Sequence, residues 1–362
     1  MNIPTSTQDS VNLLSAPKFL FGAGGAASWV LGGFRNAGIE IEGFLDDSAE
    51  KIDHVADIPV LYPDTPDVSA VTRTEAVVVF IVMNPAVDES AIRQRLQKLG
   101  WGLVMSMSEF GRRYFQLTGR RCGMLSGDEL DAQAKELASA RSLLNDDESR
   151  AVFDAFIAFM REVNDSAFPP ITPSPYFPPD LPRWRDPLRI IDCGGFDGDT
   201  LRAALKSGYR IEASASFEPD PKNFARLAKN IRDIPGAQAW PCGVSGRTEI
   251  LRFSAQGDTG SSVNMSGELS IQCVALDEAL PHFMPNLIKF DIEGSEEQAL
   301  RGAEFLLRKF RPGLAVSVYH LPTDIWRIPL FLSSIFGPRC RFHLRRHSRT
   351  IADTVLYVYP SD

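Results

Sequence analysis

The sequence predicts an α/β protein with two doubly wound sheets that are joined by a connecting region. Apolar runs alternate with helical patterns over residues 18–120, and the same alternation restarts at residue 188. A proline-rich stretch lies between the two regions. Such alternation is typical of parallel sheets covered by helices. We therefore expect a domain at 1–120, a helical connector with a crossing segment at 121–187, and a domain at 188–362.

Composition excludes several classes of protein. The 362 residues carry a net charge of −8, which gives no electrostatic footprint for nucleic acid. The N-terminus lacks the features of a secretion signal, and the longest apolar run, 76–83, is too short to span a bilayer. Five scattered cysteines show neither metal-ligand spacing nor a disulfide framework. We expect a cytoplasmic protein with no nucleic-acid partner and no membrane span.

The first domain shows a strand, a glycine turn and a helix start in its opening segment. The segment FGAGGAA places Gly22, Gly24 and Gly25 at the turn, and it matches the G-x-G-x-x-A pattern of Rossmann-like domains. Asp46 ends the next strand, IEIEGFLDD. Later strands are VVVFIVM and GLVMSM, with the helix AIRQRLQKLG between them. This pattern predicts a nucleotide or nucleotide-sugar site, and the alternative is a domain that serves only as a packing partner.

The connector contains two stretches with helix start signals and then the segment FPPITPSPYFPPDLPRWRDP, residues 168–187. This proline-rich segment excludes a helix or a central strand. We interpret it as an ordered crossing segment. Its aromatic residues, Tyr176, Phe177 and Trp184, are expected to hold it against a surface.

The second domain repeats the strand–helix alternation. Its strands are LRIIDCG, IEASASFEPD, AQAWPCGV, EILRFSA, NLIKFDIEG, GLAVSVYH, RFHLRRHS and TVLYVYP, and the last two are expected to pair antiparallel. Its helices are 199–207, PKNFARLAKNI, SEEQALRGAEFLLRKF and DIWRIPLFLSSI.

The loop of IIDCGGFDGDT, residues 190–200, combines glycines with carboxylates at the end of a strand. Ligands of doubly wound sheets bind at such strand ends, and glycines permit close approach. Neighbouring acids disfavour a phosphate and favour a ligand with positive charge. S-adenosylmethionine carries a sulfonium and an ammonium group. Glu218 ends the next strand, where an acid can bind ribose hydroxyls.

These motifs resemble the FkbM family of S-adenosylmethionine-dependent methyltransferases. The matching segments are IIDCGGFDGDT, SFEPDPKNF, CGVSGRTEILRF, VALDEAL, LIKFDIEGSEEQALRGAEFLL and SVYHLPTDIWRIPLF, in the order of the family. The resemblance covers about residues 188–360. It implies a seven-stranded class I methyltransferase fold with the last strand antiparallel, and O-methylation of a hydroxyl on a sugar, glycan precursor or related metabolite.

The resemblance also implies roles for single residues. The methionine part of the cofactor would contact Asp192, Gly194, Gly195, Phe196, Gly198, Asp199 and Thr200. Glu218 would bind the ribose, with Pro219 shaping the turn after it. Cys242, Gly243 and Val244, taken as the end of the third strand, would line the adenine. A second local resemblance, of GFLDD and IPVLY to the N-terminal domains of sugar acyltransferases, implies a nucleotide or nucleotide-sugar site in the first domain.

Methyl transfer requires an acceptor oxygen that loses a proton near the cofactor. The candidates are Asp291 and Glu293, which would share one face if the strand persists through both, and His320 at the end of the fifth strand. Each has an alternative role: Asp291 could pair with Lys289, Glu293 could cap the next helix, and His320 could be structural. A divalent metal held by Asp291 and Glu293 is a further alternative, but two acids do not define a site, so no metal is assigned.

Two other functions remain open from the sequence. One is a non-catalytic protein that binds a nucleotide or cofactor, for which the three strand-end candidates would be dispensable. The other is a nicotinamide-dependent oxidoreductase that uses the first domain, although the sequence shows no hydride-transfer constellation beside it.

Overall fold

The structure is a computed structural model that describes residues 12–24, 27–82, 87–118, 125, 127–162, 168–254, 262–263 and 269–360. The chain divides into two compact units. An N-terminal unit comprises Met1–Gly127 and Ala158–Ala167, and a C-terminal unit comprises Asp128–Ile157 and Phe168–Asp362. No helix among the described residues has the length and apolar character needed to cross a membrane.

The N-terminal unit is built from short strands and helices in alternation. They are β1 (Lys18–Phe21), α1 (Ala27–Asn36), β2 (Gly43–Leu45), β3 (His54–Val55), β4 (Ile58–Leu61), α2 (Ala70–Glu75), β5 (Val77–Phe80), α3 (Glu89–Lys98), β6 (Leu103–Ser106) and α4 (Met107–Thr118). Within the described residues the strand order is β3-β4-β2-β1-β5-β6. Only β3 runs antiparallel to its neighbour.

Both faces of this first sheet are covered. Val77 and Val79 of β5 belong to one apolar cluster, whereas Val78 and Phe80 belong to another. Alternate residues of a strand point to opposite faces, so each face has its own core. The chain leaves β1 in one direction along the sheet for β2 and in the other for β5, which is the Rossmann-like arrangement predicted from the sequence.

The C-terminal unit contains the remaining elements. They are α5 (Gly127–Ala132), α6 (Ala134–Leu143), α7 (Asp147–Glu162), β7 (Leu188–Cys193), α8 (Asp199–Lys206), β8 (Ile211–Phe217), α9 (Pro221–Asn230), β9 (Ala237–Trp240), β10 (Gly243–Val244), β11 (Glu249–Ser254), β12 (Ser262–Val263), β13 (Leu269–Val274), α10 (Leu276–Ala279), β14 (Leu287–Phe290), α11 (Glu296–Arg301), α12 (Glu304–Phe310), β15 (Gly313–Ser317), α13 (Asp324–Phe336), β16 (Arg341–Arg346) and β17 (Thr354–Tyr359). Helices α5 and α7 begin or end at residues grouped with the N-terminal unit.

The main sheet of the C-terminal unit has the strand order β16-β17-β15-β14-β7-β8-β9 within the described residues. Strands β15, β14, β7, β8 and β9 are parallel, and β17 lies antiparallel to both β15 and β16. This confirms the class I methyltransferase fold with its last strand antiparallel. A second sheet, with the order β10-β13-β11-β12, was not expected.

The segment AQAWPCGV was predicted as one strand, but it contributes to two sheets. It forms β9 of the main sheet and, beyond Pro241, β10, which pairs with β13. Proline has no N–H to donate to a ladder, so a continuous strand through Pro241 is disfavoured. Cys242, Gly243 and Val244 therefore follow the third strand of the main sheet and do not belong to it.

The crossing segment before β7 is anchored by its aromatic residues. The ring of Trp184 stacks on Tyr359 with centroids 4.4 Å apart, and its indole N–H donates to the carbonyl of Tyr176 at 2.8 Å. The backbone N–H of Tyr176 donates to the hydroxyl of Tyr357 at 2.9 Å. The segment is thus bound to the core of the main sheet, and Tyr176 is held in place by contacts on both sides.

Candidate functional site

Four turns meet at one edge of the main sheet. They follow the adjacent parallel strands β15, β14, β7 and β8, whose carboxyl ends lie together. The turns carry His320, Asp291 with Glu293, the glycine loop 194–198, and Glu218. The fold therefore collects the strongest candidates of the C-terminal domain at one edge.

The glycines of the loop are required by contacts within the chain. Gly194 has φ +86°, and an added Cβ would overlap the carbonyl oxygen of Asp291. Gly198 also has φ +86°, and its Cβ would lie 2.7 Å from Ile231. The N–H groups of Gly194 and Gly195 both donate to the carbonyl of Phe217, at 3.0 and 2.8 Å. The sequence predicts that the glycines leave space for a ligand. In the structure, other residues of the same chain fill that space at Gly194 and Gly198.

Glu218 ties the glycine loop to the end of β8. One carboxylate oxygen accepts the N–H of Phe196 at 2.9 Å, and the other accepts the N–H of Asp220 at 2.9 Å. Burial raises the pKa of Glu218 to about 7 against the opposing effect of these hydrogen bonds. Each oxygen keeps a second lone pair, so the carboxylate can still accept bonds from two adjacent hydroxyls.

Asp192 is fully enclosed and cannot contact a cofactor directly, contrary to the expectation from the sequence. Its oxygen lies 3.2 Å from Nζ of Lys289, its neighbour in the β7–β14 register. Burial raises the pKa of Asp192 to about 6, and the positive charge of Lys289 limits the rise. Nζ of Lys289 also donates to the carbonyl of Gly194 at 2.6 Å. Asp192 therefore supports the loop through Lys289.

The remaining predicted cofactor residues lie around the same loop or just beyond it. Asp199 is exposed at the first position of α8, and its side chain accepts the N–H of Thr200, which is buried. Pro219 is half-buried directly after Glu218. Cys242, Gly243 and Val244 are buried, and a Cβ on Gly243 would meet the sulfur of Cys273 at 2.8 Å.

The turns after β14 and β15 bring Asp291, Glu293 and His320 together. Nε2 of His320 lies 3.6 Å from Oδ1 of Asp291 and 3.5 Å from Oε2 of Glu293. Strand β14 ends at Phe290, and Glu293 has φ +54°, so strand alternation does not place the two acids together as proposed from the sequence. A turn with left-handed backbone does so, which is a conformation that marks many functional sites.

Two residues that the sequence did not identify complete this cluster. Glu296, fully buried at the start of α11, accepts a hydrogen bond from Nδ1 of His320 at 2.8 Å. The hydroxyl of Tyr176, from the crossing segment, donates to Oδ2 of Asp291 at 2.8 Å. In the sequence, Glu296 appears only as an acid in the first turn of a helix, where its negative charge is favourable next to the helix N-terminus. Nothing in the sequence connects Tyr176 to a residue so far along the chain.

Charge in the cluster is concentrated and buried. The side chain of His320 is only 4% exposed. Burial opposes protonation of His320, but the carboxylates of Glu296, Glu293 and Asp291 outweigh it and raise its pKa to about 10. Burial likewise opposes ionisation of Asp291, and the charges of Lys289 and His320 hold its pKa below the usual value. His320 and Asp291 are therefore both favoured in their charged forms.

The predicted nucleotide residues of the N-terminal unit lie around the turn after β1. Gly22 has φ +114°, and a Cβ there would lie 2.7 Å from Val82. Oδ2 of Asp46 accepts the N–H of Ala23 at 2.7 Å. Gly24 is exposed, and an added Cβ would meet no described atom within 4 Å. Gly25 lies outside the described residues.

The fold and the glycine loop together define a class I methyltransferase. Residues 192–344 match the family model described as the methyltransferase FkbM domain. Over these residues the C-terminal part of this chain is similar to the methyltransferase domain of the FkbM family. No curated protein matches the chain.

Solved structures extend the likeness in fold to both units. The crystal structure of methyltransferase FkbM from Methylobacillus flagellatus KT is 22% identical and has a TM-score of 0.66, with 95% of this chain and 90% of that chain covered. An rRNA methylase from Streptococcus thermophilus is 14% identical, with a TM-score of 0.31 over 48% of this chain and 87% of its own. Fibrillarin from Aeropyrum pernix, solved with natively bound S-adenosyl-L-methionine, is 14% identical, with a TM-score of 0.31 over 48% of this chain and 67% of its own.

Proposed function

We propose that the protein transfers a methyl group from S-adenosylmethionine to a hydroxyl of a sugar, glycan precursor or related metabolite. The observation that carries the proposal is the junction of Glu218 with the glycine loop. A buried carboxylate with spare lone pairs stands beside the switch point of the main sheet, where doubly wound sheets bind their cofactors. The surrounding acids suit the positive charges of the cofactor.

On this proposal the cofactor lies across the ends of β7 and β8. Glu218 accepts the ribose hydroxyls, and Pro219 shapes the turn behind it. The loop residues Gly194, Gly195, Phe196, Gly198, Asp199 and Thr200 surround the methionine part, and Cys242, Gly243 and Val244 border the adenine. Once bound, the cofactor supplies an electrophilic methyl group on its sulfonium.

The acceptor hydroxyl is placed by the proposal against Asp291, Glu293 and His320. Protons in a strongly interacting cluster belong to the group and not to one residue. We therefore assign proton acceptance to the three side chains as a unit. Because the pKa of His320 is raised to about 10, its imidazole is charged at neutral pH, and the proton passes to the carboxylates beside it. Glu296 and Tyr176 hold His320 and Asp291 in position. Radiolabelled cofactor, candidate nucleotide-sugars and product mass spectrometry test the reaction directly. If no sugar or related metabolite acquires a methyl group, the proposed substrate class is wrong.

Replacing Glu218 with alanine is expected to weaken S-adenosylhomocysteine binding roughly tenfold to a hundredfold. The change removes a charge-assisted hydrogen bond to the ribose, which contributes about 1.5–3 kcal/mol. Isothermal titration calorimetry measures the loss. Glu212→Ala on the same strand, where the side chain is 52% exposed, is the matched control and should bind like wild type. If wild type shows no binding at millimolar ligand, the methyltransferase proposal itself fails.

For the N-terminal unit we propose a nucleotide or nucleotide-sugar at the turn after β1. Gly24→Val is expected to abolish its binding by crowding the backbone approach, and to leave the fold intact, because a Cβ added there meets no described atom within 4 Å. Thermal-shift measurements with a nucleotide panel provide the test. Gly33→Val, where an added Cβ is equally free of described neighbours, serves as the control. A panel without any stabilising compound would favour the packing-partner alternative.

A further inference from the structure

Beyond the ends of β14 and β15, Asp291 and His320 each contain a buried polar atom that lacks a hydrogen-bond partner among the described residues. These atoms are Oδ1 of Asp291 and Nε2 of His320, which face each other at 3.6 Å. That distance is too long for a hydrogen bond between them. Leaving such atoms unsatisfied in a protein interior is unfavourable, so their convergence requires an explanation.

A third potential ligand atom also approaches Nε2 of His320. Oε2 of Glu293 lies 3.5 Å from Nε2 of His320. Two ligands at about 2.0–2.2 Å from one ion, at tetrahedral or octahedral angles, lie roughly 3.0–3.5 Å apart. The separation of Nε2 of His320 from Oε2 of Glu293 is at the top of this range, and its separation from Oδ1 of Asp291 is 0.1 Å beyond it. Small side-chain movements would bring either carboxylate and the imidazole onto one ion.

The surroundings orient these ligand atoms. Asp291, Glu296 and His320 each bring a potential ligand atom within 4.8 Å of the others, but both oxygens of Glu296 are already used. They accept the N–H groups of Ile292 and Gly294, at 2.8 and 3.0 Å, and one also accepts Nδ1–H of His320. A carboxylate behind a histidine fixes the tautomer that presents Nε2 to a metal, as in many metalloproteins.

Asp291 is oriented in a similar way. Its Oδ2 accepts the hydroxyl of Tyr176 at 2.8 Å and lies 3.9 Å from Nζ of Lys289. Its other oxygen, Oδ1, faces Nε2 of His320 at 3.6 Å. Outer partners of this kind hold the carboxylate as well as the imidazole in a single orientation.

We propose that Nε2 of His320, Oδ1 of Asp291 and Oε2 of Glu293 bind one divalent ion of the first transition series, with Glu296 as the outer partner of the histidine. The sequence offered only two acids, which did not define a site; the fold adds the imidazole. Mg²⁺ and Ca²⁺ prefer oxygen ligands alone, whereas imidazole with carboxylates suits Mn²⁺, Fe²⁺ or Zn²⁺.

Three protein ligands leave coordination positions open for a small molecule. An ion here would supply a Lewis acid at the place where the acceptor hydroxyl is proposed to lie. Binding replaces any proton on Nε2, which is released to solvent. This role in methyl transfer rests on the proposed function, whereas the binding of the ion does not.

Titration of the EDTA-treated, desalted full chain with Mn²⁺ tests the site. Electron paramagnetic resonance of free Mn²⁺ and calorimetry are expected to show one bound ion per chain, and Mg²⁺ should compete poorly. Asp291→Asn, Glu293→Gln and His320→Gln are each expected to weaken binding by more than about tenfold, and Glu296→Gln by about 10–100-fold. Glu304→Gln, a partly exposed acid paired with Arg308, is the matched control and should bind like wild type.

Far-ultraviolet circular dichroism of each variant shows that it has folded, and binding of S-adenosylhomocysteine by the wild-type chain separates this proposal from the previous one. A wild-type chain that binds S-adenosylhomocysteine but no stoichiometric Mn²⁺ or Zn²⁺ overturns the metal site and leaves methyl transfer in place. A wild-type chain that binds the ion but not S-adenosylhomocysteine overturns the methyl-transfer proposal and leaves the metal site in place. Wild-type Mn²⁺ affinity in all three ligand variants would place the ion elsewhere and also overturn the proposal.

Discussion

His320→Ala is expected to lower methyl-transfer turnover about a hundredfold to ten-thousandfold while binding S-adenosylhomocysteine like wild type. That range is typical when a group that assists proton transfer is lost. His320 lies within 3.6 Å of both Asp291 and Glu293, so its removal dismantles the proposed proton-accepting unit. It has no place in the proposed ribose or adenine contacts, which explains why cofactor binding should be retained.

Single-turnover kinetics and calorimetry on the same samples provide the two measurements. His282→Ala, at an exposed position before β14, is the matched histidine control and should retain full turnover. Asp291→Asn should reduce both turnover and cofactor affinity, because its charge lies nearer the proposed sulfonium. Turnover of His320→Ala within a few-fold of wild type would remove the histidine from the role and leave Glu293 as the better candidate.

Lys289→Met is expected to destabilise the C-terminal unit by about 3–5 kcal/mol. The side chain of Lys289 is 3% exposed and that of Asp192 is fully buried, so the change leaves a buried carboxylate without its counter-charge. It also removes the bond to the carbonyl of Gly194, which fixes the glycine loop. Cofactor affinity should therefore fall together with stability.

Urea unfolding at pH 7.5, followed by far-ultraviolet circular dichroism, gives the change in the free energy of unfolding. Lys309→Met on α12 is the exposed control and should shift it by less than about 0.5 kcal/mol. The double change Lys289→Met with Asp192→Asn should recover part of the loss, because it removes the stranded charge. A destabilisation of Lys289→Met below about 1 kcal/mol would contradict the buried ion pair.

The main parallel strands and most of the helices that cover them could be predicted because the local signals agree with the fold, whereas short elements such as β3 and α2 were not predicted. Buried parallel strands such as β5 are continuous apolar runs, and glycines or acids mark their ends. The second sheet of the C-terminal unit was missed for a physical reason. Its strand β10 has two residues, and its partner β13 is separated from it by 24 residues. Pairing at that distance leaves no local pattern.

The candidate site was predictable in part. Asp291, Glu293 and His320 were identified because each follows a strand whose carboxyl end faces the same edge. The main partner of Lys289 could not be predicted. The sequence suggests Asp291, which is two residues away in the chain, but in the structure the closer carboxylate is that of Asp192 on the adjacent strand. Strand register decides that choice, and register is a property of the folded sheet.

The glycine loop shows how a correct motif can be explained by the wrong contact. Its glycines predicted a ligand near the backbone, yet Gly194 makes space for the carbonyl of Asp291 and Gly198 for Ile231. A glycine at a crowded position indicates that another atom lies close to the backbone, but not whether that atom belongs to a ligand or to the protein itself. The carboxylate of Glu218, with its spare lone pairs, is the stronger indicator of a ligand.

The close contact between Gly194 and Asp291 packs the loop after β7 directly against the turn after β14. Lys289 joins them a second time, through the carbonyl of Gly194 and the carboxylates on either side. We therefore expect a molecule that displaces one turn to displace the other as well. Occupancy at the two ends of the site is then thermodynamically linked: whatever factor the first ligand applies to the affinity of the second, the second applies to the first.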